Sequence, residues 1–243
     1  MDESLSERYG AFLSERRAAL LSMIADACAR AGRDPQEVDL LAVSKTVGPD
    51  EVALAIAAGQ RLFGENRPQE LSRKLAALRA SGQADMVRFD MIGNLQKNKI
   101  NQVLGNVELI HSVSSLHLAQ AIAKRAEARG IVAKVLIEVN VSGEESKSGF
   151  DPTELRSQVE EVLGLGGLQV EGLMTMAPAH DASEARRTFS GLRDLADELR
   201  VRTGMPLSVL SCGMSDDFQI AVEEGSTLVR LGRIVFDEHY PLD

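Results

Sequence analysis

The sequence of 243 residues has no tryptophan, few aromatic residues (4%) and only two cysteines. These cysteines, Cys28 and Cys212, are too few and too isolated for a disulfide framework or a zinc site. Of the four histidines, only His111 and His117 approach the spacing of metal ligands, and we interpret both as surface or rim residues. The sequence therefore predicts no metal site.

Basic residues and long apolar runs are also scarce. The formal net charge is −9, which argues against nucleic acid or an anionic membrane as a partner, because both attract basic patches. No segment approaches the roughly 20 apolar residues that span a bilayer. The acidic N-terminus lacks the apolar core of a signal peptide. We therefore predict a cytoplasmic protein that binds neither nucleic acid nor a membrane.

What the sequence does contain is an alternation of short apolar runs with amphipathic stretches, preceded by a predicted helix over residues 3–31. The apolar runs predict strands at 39–44, 61–64, 87–92, 107–111, 133–140, 168–174, 207–211 and 227–231. Helices are predicted near 49–58, 67–80, 95–104, 115–129, 152–163, 182–202 and 216–224.

This alternation is typical of a closed parallel (β/α)8 barrel, a TIM barrel, with an open doubly wound sheet as the alternative. No repeat or linker divides the chain. We therefore expect a single domain over residues 1–243, with a leading helix at 1–31 and the barrel at 39–236.

Lys45 follows the first predicted strand, in the segment LLAVSKTVG. Barrel closure would bring the residues after each strand to one rim, where such folds carry their chemistry. An amine held in a largely apolar rim can have a lowered pKa and attack a carbonyl to form a Schiff base. The alternative is a lysine that reaches solvent or pairs with Glu65.

The segment SCGMSDD, residues 211–217, follows the seventh predicted strand. Ser215 is expected to cap the next helix, and free N–H groups at Met214, Ser215 and Asp216 would form an anion-binding seat. The alternative is an ordinary capped helix, because Asp216 and Asp217 would repel a phosphate. This segment alone does not decide between them.

The eighth predicted strand carries Arg230 within an apolar run. A buried arginine stays charged and needs acceptors, which a carboxylate or a ligand can supply. Gly232, at the strand end, lets the backbone approach a ligand closely. In barrels of this kind the loops after the seventh and eighth strands often bind phosphate together. A lysine facing a phosphate seat across the barrel mouth is what pyridoxal 5′-phosphate requires.

Seven segments then match a known pattern in the same order along the chain: AVSKT at 42–46, FGENRPQE at 63–70, IGNLQKNK at 92–99, VNVSGEESKSGF at 139–150, GLM at 172–174, GMSDD at 213–217 and GSTLVRLG at 225–232. Together they strongly resemble the pyridoxal phosphate homeostasis protein family. That resemblance implies a barrel of the alanine racemase N-terminal type, without the second domain of the racemases.

The resemblance also implies a site. Lys45 would carry pyridoxal 5′-phosphate as an internal aldimine, Arg230 would face the pyridine nitrogen, and Asn66 would lie close to the cofactor. The phosphate would be held by four residues of the last two loops: Met214, Ser215, Gly232 and Arg233.

Four features of the sequence fall outside this assignment. Lys147 matches a family lysine near the barrel mouth, without a role that we can derive. Asp90 stands where the family commonly has histidine, Cys212 replaces a common methionine, and Asp237 lies in an unusual ending, FDEH at 236–239. None of these departures touches Lys45, Ser215 or Arg230.

Catalysis at an amino acid's α-carbon needs an acid or base on each relevant face of the cofactor. Racemases of this barrel type use a tyrosine from a second domain for one face. Here the two tyrosines are Tyr9, in the leading helix, and Tyr240, near the C-terminus. An arginine beside the pyridine nitrogen also weakens the ring as an electron sink.

The leading hypothesis is therefore a protein without robust catalysis that stores, buffers or delivers pyridoxal phosphate, with apo forms of pyridoxal phosphate enzymes as candidate partners. We expect a monomer or weak dimer. A low-activity amino-acid racemase is the alternative. A cofactor-free Schiff-base aldolase acting on a phosphorylated sugar is a third hypothesis.

Overall fold

The computed structural model describes residues 3–144 and 146–242. Eight parallel strands form a closed barrel in the order β1 to β8, each strand paired with its neighbours in sequence and β8 with β1. The strands are Asp39–Val43 (β1), Leu62–Glu65 (β2), Arg88–Met91 (β3), Ile110–Val113 (β4), Ala133–Glu138 (β5), Leu168–Met174 (β6), Val209–Ser211 (β7) and Leu228–Leu231 (β8). The predicted (β/α)8 barrel is confirmed.

Helices cover the outside of the barrel and precede it. They are Glu3–Ala31 (α1), Pro49–Ala57 (α2), Pro68–Ala80 (α3), Ile100–Val103 (α4), Leu116–Ala128 (α5), Pro152–Leu163 (α6), Ala182–Thr203 (α7), Phe218–Glu223 (α8) and Arg233–Phe236 (α9). Short 3₁₀ segments lie at Pro35–Glu37, Ala84–Met86 and Lys97–Lys99. No helix among these described residues is long and apolar enough to cross a membrane.

The element bounds differ from the prediction mainly around β3 and β4. The predicted helix at 95–104 is a 3₁₀ turn at 97–99 followed by the four-residue helix α4, because the polar run 96–98 is exposed and offers no apolar face. Strand β4 begins at Ile110 rather than at 107 and continues to Val113. The prediction ended this strand at His111, whereas the strand continues through Ser112 to Val113 and all four residues of β4 are buried.

Apolar side chains fill two regions of the fold. Two large clusters pack the helices onto the outer face of the barrel. Two smaller clusters are formed by residues in the strands or directly before one: Leu41, Val43, Leu62 and Leu228 in one, and Leu109, Leu136 and Met174 in the other. Several buried polar residues of the strands lie outside these clusters, and they form the site described below.

Side chains of the leading helix α1 form hydrogen bonds with the chain segment that follows β8. The Tyr9 hydroxyl donates to the carbonyl of Phe236 at 2.7 Å. Arg16 donates to the carbonyls of Ile234 and Tyr240 at 3.1 and 2.9 Å. Since α9 begins directly after Gly232, these bonds hold one edge of the barrel mouth in place.

Candidate functional site

A cavity of about 420 Å³ opens at the carboxyl ends of the strands. It is lined by all seven predicted site residues: Lys45, Asn66, Met214, Ser215, Arg230, Gly232 and Arg233. The lining also includes residues that the sequence did not single out for a site role, among them Asn94, Glu138, Met174 and Met176. The fold therefore gathers residues from the ends of seven strands, β1, β2, β3, β5, β6, β7 and β8, around one space.

Lys45 lies just after β1 and its side chain is exposed at the cavity. The sequence left two interpretations open, an amine held in a largely apolar rim or a lysine that reaches solvent, and the exposure of Lys45 agrees with the second. The alternative that Lys45 pairs with Glu65 is wrong, because Glu65 is fully buried and pairs with Lys74 of α3. Lys45 therefore presents its amine to the cavity without this partner.

The buried lysine of this region is Lys74, whose side chain is 0% exposed. Its ammonium pairs with Glu65 and donates to the carbonyl of Ser44 at 2.5 Å. Glu65 also accepts from the Ser44 hydroxyl at 3.0 Å and from the Asn66 N–H at 3.1 Å. The network ties together the ends of β1 and β2, and so it positions the backbone of both Lys45 and Asn66.

Sequence reasoning missed Lys74, although a signal was present. The buried face of α3 contains Leu71, Leu75 and Leu78, and Lys74 falls on that face at helical spacing. A lysine on an apolar helix face is fully buried only when a partner neutralises it. Here that partner is Glu65, which ends the preceding strand.

Arg230 lies in β8 and is 5% exposed. Its guanidinium donates to the Ser211 hydroxyl at 2.6 Å and to the Thr175 carbonyl at 3.0 Å. Burial lowers the pKa of this guanidinium, and the negative charges of Asp217 and Glu138 oppose the shift. Arginine nevertheless stays cationic near neutral pH, so a fixed positive charge lies against the cavity.

His111 is fully buried in β4, so its interpretation as a surface or rim residue is wrong. Its Nε2 lies 3.1 Å from Asp90 Oδ2, and its Nδ1 lies 3.0 Å from the Ser211 hydroxyl. Burial lowers the pKa of the imidazole, and the bond to Asp90 partly opposes that shift. His117 is exposed, as expected.

The loop after β7 differs from the prediction. Helix α8 begins at Phe218 with Asp217 at its N-cap, so Ser215 does not cap it. The Met214 N–H is not free, because it donates to the Asp217 carboxylate at 2.6 Å. Burial raises the pKa of Asp217, and this hydrogen bond opposes the rise. The turn needs glycine at position 213, whose φ is +94° and whose added Cβ would lie 2.6 Å from the Ala221 Cβ.

The loops after β7 and β8 nevertheless meet. Ser215 Oγ accepts from the Ile234 N–H at 3.4 Å. Arg233, exposed at the cavity rim, pairs with Asp216 at 3.0 Å. Within residues 3–144 and 146–242, the N–H groups of Ser215, Asp216 and Gly232 donate to no protein acceptor. Part of the predicted anion seat is therefore present, with an arginine beside it.

Two buried oxygen atoms of the cavity lining have no hydrogen-bond partner in the described part of the chain: Asn66 Oδ1 and Glu138 Oε2. The other oxygen of Glu138 accepts from the Ser148 hydroxyl at 2.6 Å. Burial raises the pKa of Glu138. Gly93 packs directly against Asn66, since a Cβ added at Gly93 would lie 2.6 Å from the Cβ of Asn66. Unpaired polar atoms are costly in a protein interior unless a ligand or water satisfies them.

Lys147 lies in the loop after β5, in the predicted segment 139–150, of which Glu145 falls outside the described residues. It pairs with Glu144 and donates to the Met176 carbonyl at 3.3 Å. Elsewhere, no group of three His, Cys, Asp or Glu residues in the described parts of the chain is arranged to hold a metal ion.

The barrel and its cavity define a class of protein, and comparisons with known proteins agree. Residues 18–239 match the family model of the alanine racemase N-terminal domain. An alanine racemase from Clostridium difficile has the same fold, with a TM-score of 0.69 at 20% identity over 94% of this chain and 57% of that one. The chain is thus a barrel of the alanine racemase N-terminal type.

More similar proteins identify the family within that class. The pyridoxal phosphate homeostasis protein of Aquifex aeolicus is 43% identical over 92% of this chain and 97% of its own length. That of Escherichia coli strain K12 is 37% identical over 92% and 95%. PipY of Synechococcus elongatus, solved with PLP bound, is 34% identical over 92% and 99%, with a TM-score of 0.79. The chain belongs to the pyridoxal phosphate homeostasis protein family, and the predicted membership is confirmed.

Proposed function

We propose that this protein binds pyridoxal 5′-phosphate in the cavity and contributes to its homeostasis by storing, buffering or delivering it. The observation that carries the proposal is the convergence of all seven predicted residues on one cavity. The PLP bound to PipY of Synechococcus elongatus supports it. We assign the cofactor to Lys45 as an internal aldimine.

The residues around the cavity suit this group. When bound, the cofactor supplies an aldehyde that reacts reversibly with amines. Lys45 offers the only lysine amine in the described lining. For the phosphate, Ser215 offers a hydroxyl and an N–H, Gly232 offers an N–H, and Arg233 offers a positive charge. Arg230 offers a donor, not a carboxylate, to the ring nitrogen. The unpaired oxygen of Asn66 is a further acceptor beside the ring.

The absence of robust catalysis is part of the proposal. Arg230 does not stabilise a protonated ring nitrogen as a carboxylate would, which disfavours charge withdrawal from a bound amino acid. The proposed partners are apo forms of pyridoxal phosphate enzymes. Such enzymes should regain activity faster with the loaded protein than with free cofactor at equal concentration. An equal or slower rate would exclude delivery and leave storage or buffering.

One observation favours the second candidate, a low-activity amino-acid racemase. Glu138 is a buried carboxyl at the cavity whose pKa is raised by burial, and a carboxyl of this kind is a candidate general acid or base. Interconversion of D- and L-amino acids by the loaded protein, lost in Glu138→Gln, would support this candidate. Turnover no greater than that of free pyridoxal phosphate would exclude it.

The proposed binding is tested by absorption spectroscopy followed by borohydride reduction and peptide mapping. We expect a visible aldimine band in the wild-type protein, absent from Lys45→Ala, with the reduced label on Lys45. Lys124→Ala is the matched control, because Lys124 is an exposed lysine on the outer helix α5. A label on Lys147, or no band at all, would refute the assignment and favour the cofactor-free aldolase.

A further inference from the structure

Four buried polar side chains from four strands form a continuous hydrogen-bonded chain inside the barrel: Asp90 of β3, His111 of β4, Ser211 of β7 and Arg230 of β8. The Arg230 guanidinium lies 2.6 Å from the Ser211 hydroxyl, which lies 3.0 Å from His111 Nδ1. His111 Nε2 lies 3.1 Å from Asp90 Oδ2. Only Arg230, at one end of this chain, also lines the cavity.

The donor and acceptor properties of these four side chains fix the direction of each hydrogen bond between them. Arginine can only donate, so the Ser211 oxygen accepts from Arg230. The hydroxyl has one hydrogen of its own, and the lone pair of a neutral His111 Nδ1 is the acceptor within reach. The imidazole then carries its proton on Nε2 and donates it to Asp90, whose carboxylate can accept but not donate.

The reverse direction is disfavoured. A proton on Nδ1 alone would leave the Nε2 lone pair facing the Asp90 carboxylate, which is repulsive. A doubly protonated ring would place a second cation in a buried region that already holds Arg230, and burial lowers the pKa of His111. The neutral Nε2–H tautomer is the arrangement that gives each of the three contacts a donor and an acceptor, leaves the Ser211 hydroxyl hydrogen with a partner and adds no second buried cation.

We propose that Asp90, His111 and Ser211 are positioning residues that orient the Arg230 guanidinium toward the cofactor's ring nitrogen through this directional relay. The proposal rests on the proposed function, since Arg230 acts there on the ring nitrogen. Asp90 Oδ2 is the acceptor for His111 Nε2 at the end of the relay that lies away from the cavity.

The first test uses the cofactor-free protein, so its result does not depend on cofactor binding. Nitrogen-15 NMR of the cofactor-free protein reports the protonation of each histidine nitrogen, and the His111 signals are assigned by their loss in His111→Gln. We expect a neutral ring protonated on Nε2 at pH 7. A proton on Nδ1, or on both nitrogens, would overturn the relay.

The second test measures cofactor binding. Ser211→Ala removes the middle of the relay, and because it deletes a hydrogen bond to a charged group, the dissociation constant should rise about tenfold. The absorption maximum of the bound cofactor should also shift, and Ser211→Thr, which restores a hydroxyl, should recover both. Ser226→Ala is the matched control: Ser226 is equally buried, but its hydroxyl donates to the Cys212 carbonyl at 2.7 Å.

The outcomes separate the two proposals. If Ser211→Ala and Ser226→Ala change affinity and spectrum equally, the role of the relay in orienting Arg230 is refuted. If Ser211→Ala does not fold, Asp90→Leu takes its place, and it should weaken binding and abolish the tautomer preference of His111. If the wild-type protein binds no cofactor, the proposed function fails together with the cofactor part of this inference, while the NMR result still decides whether the relay exists.

Discussion

Glu65 and Glu138 are buried glutamates at the carboxyl ends of β2 and β5, and the structure surrounds them very differently. Both oxygens of Glu65 are partnered, by Lys74, Ser44 and the Asn66 N–H. Glu138 has one hydrogen bond, from Ser148, and its second oxygen, at the cavity, has no partner in the described residues.

The difference separates two uses of a buried charge. A carboxylate with complete partners holds backbone in place, and Glu65 does so for the strand ends that carry Lys45 and Asn66. A carboxyl left incomplete inside a protein costs stability, which is accepted where a ligand binds. For these two glutamates, the number of partners therefore distinguishes a residue that supports the cavity from one that is available to its ligand.

The largest expected loss of stability comes from removing the charged partner of Glu65, which leaves its carboxylate incompletely paired, as that of Glu138 is. Lys74→Met removes the ammonium and leaves a buried carboxylate without its counter-charge. The free energy of unfolding should fall by about 3–5 kcal/mol, as for other broken buried ion pairs. Urea denaturation measures this change. Lys124→Met, at an exposed helix position, should leave the unfolding curve unchanged.

A double substitution sharpens the same test. Adding Glu65→Leu to Lys74→Met removes the unpaired charge, and most of the lost stability should return because apolar pairs can replace buried ion pairs. If the double variant is no more stable than Lys74→Met alone, the loss of stability in Lys74→Met does not come from the unpaired carboxylate of Glu65. The scaffold role of this pair would then be wrong.

The second largest change in stability is expected from replacing Glu138 by the neutral glutamine. Burial raises its folded-state pKa above the ordinary value of 4.5. Its contribution to stability is therefore complete below that value and is lost as the pH rises through the raised pKa. Glu138→Gln can still accept from Ser148 but cannot ionise, so it should gain about 1 kcal/mol over the wild type at high pH.

Urea denaturation of both proteins at pH 5 and pH 8 checks this prediction. The advantage of Glu138→Gln should be larger at pH 8. An advantage that is constant, or larger at pH 5, would show that the carboxyl is not destabilised by burial, and the contrast with Glu65 would disappear.

The smallest effect is expected for a third glutamate, exposed and fully paired. Glu198 of α7 makes a two-pronged bond to Arg156 of α6, with both closest contacts at 2.8 Å. Solvent and salt screen such pairs, so Glu198→Gln should leave the unfolding midpoint unchanged in about 0.15 M salt. A loss approaching that of Lys74→Met would mean that burial does not control the strength of these pairs.

The sequence predicted the site residues better than their surroundings. Lys45, Arg230 and the two last loops follow apolar runs, and strand ends in a parallel barrel share one rim, so their convergence could be predicted. Their roles toward the cofactor stay predictions, as does the single domain over 1–243, of which residues 1, 2, 145 and 243 lie outside the described structure.

The errors concern burial and hydrogen bonding. His111 was expected near the surface and is enclosed. Ser215 was expected to cap the next helix, whereas Asp217 lies at its N-cap. The Met214 N–H was expected to be free and is taken by Asp217. Each depends on a partner from another element or on the path of a turn, which apolar periodicity does not encode.

By itself, the sequence determined the eight-stranded barrel, the leading helix and the family, because apolar periodicity and ordered motifs are properties of the chain. Tertiary structure alone decided that Lys74 neutralises Glu65, that one Glu138 oxygen has no partner among the described residues and that His111 connects Asp90 to Ser211. The physical reason is that a charge or hydrogen bond acts over a few ångströms in space, and barrel closure brings together residues as far apart in sequence as His111 and Ser211.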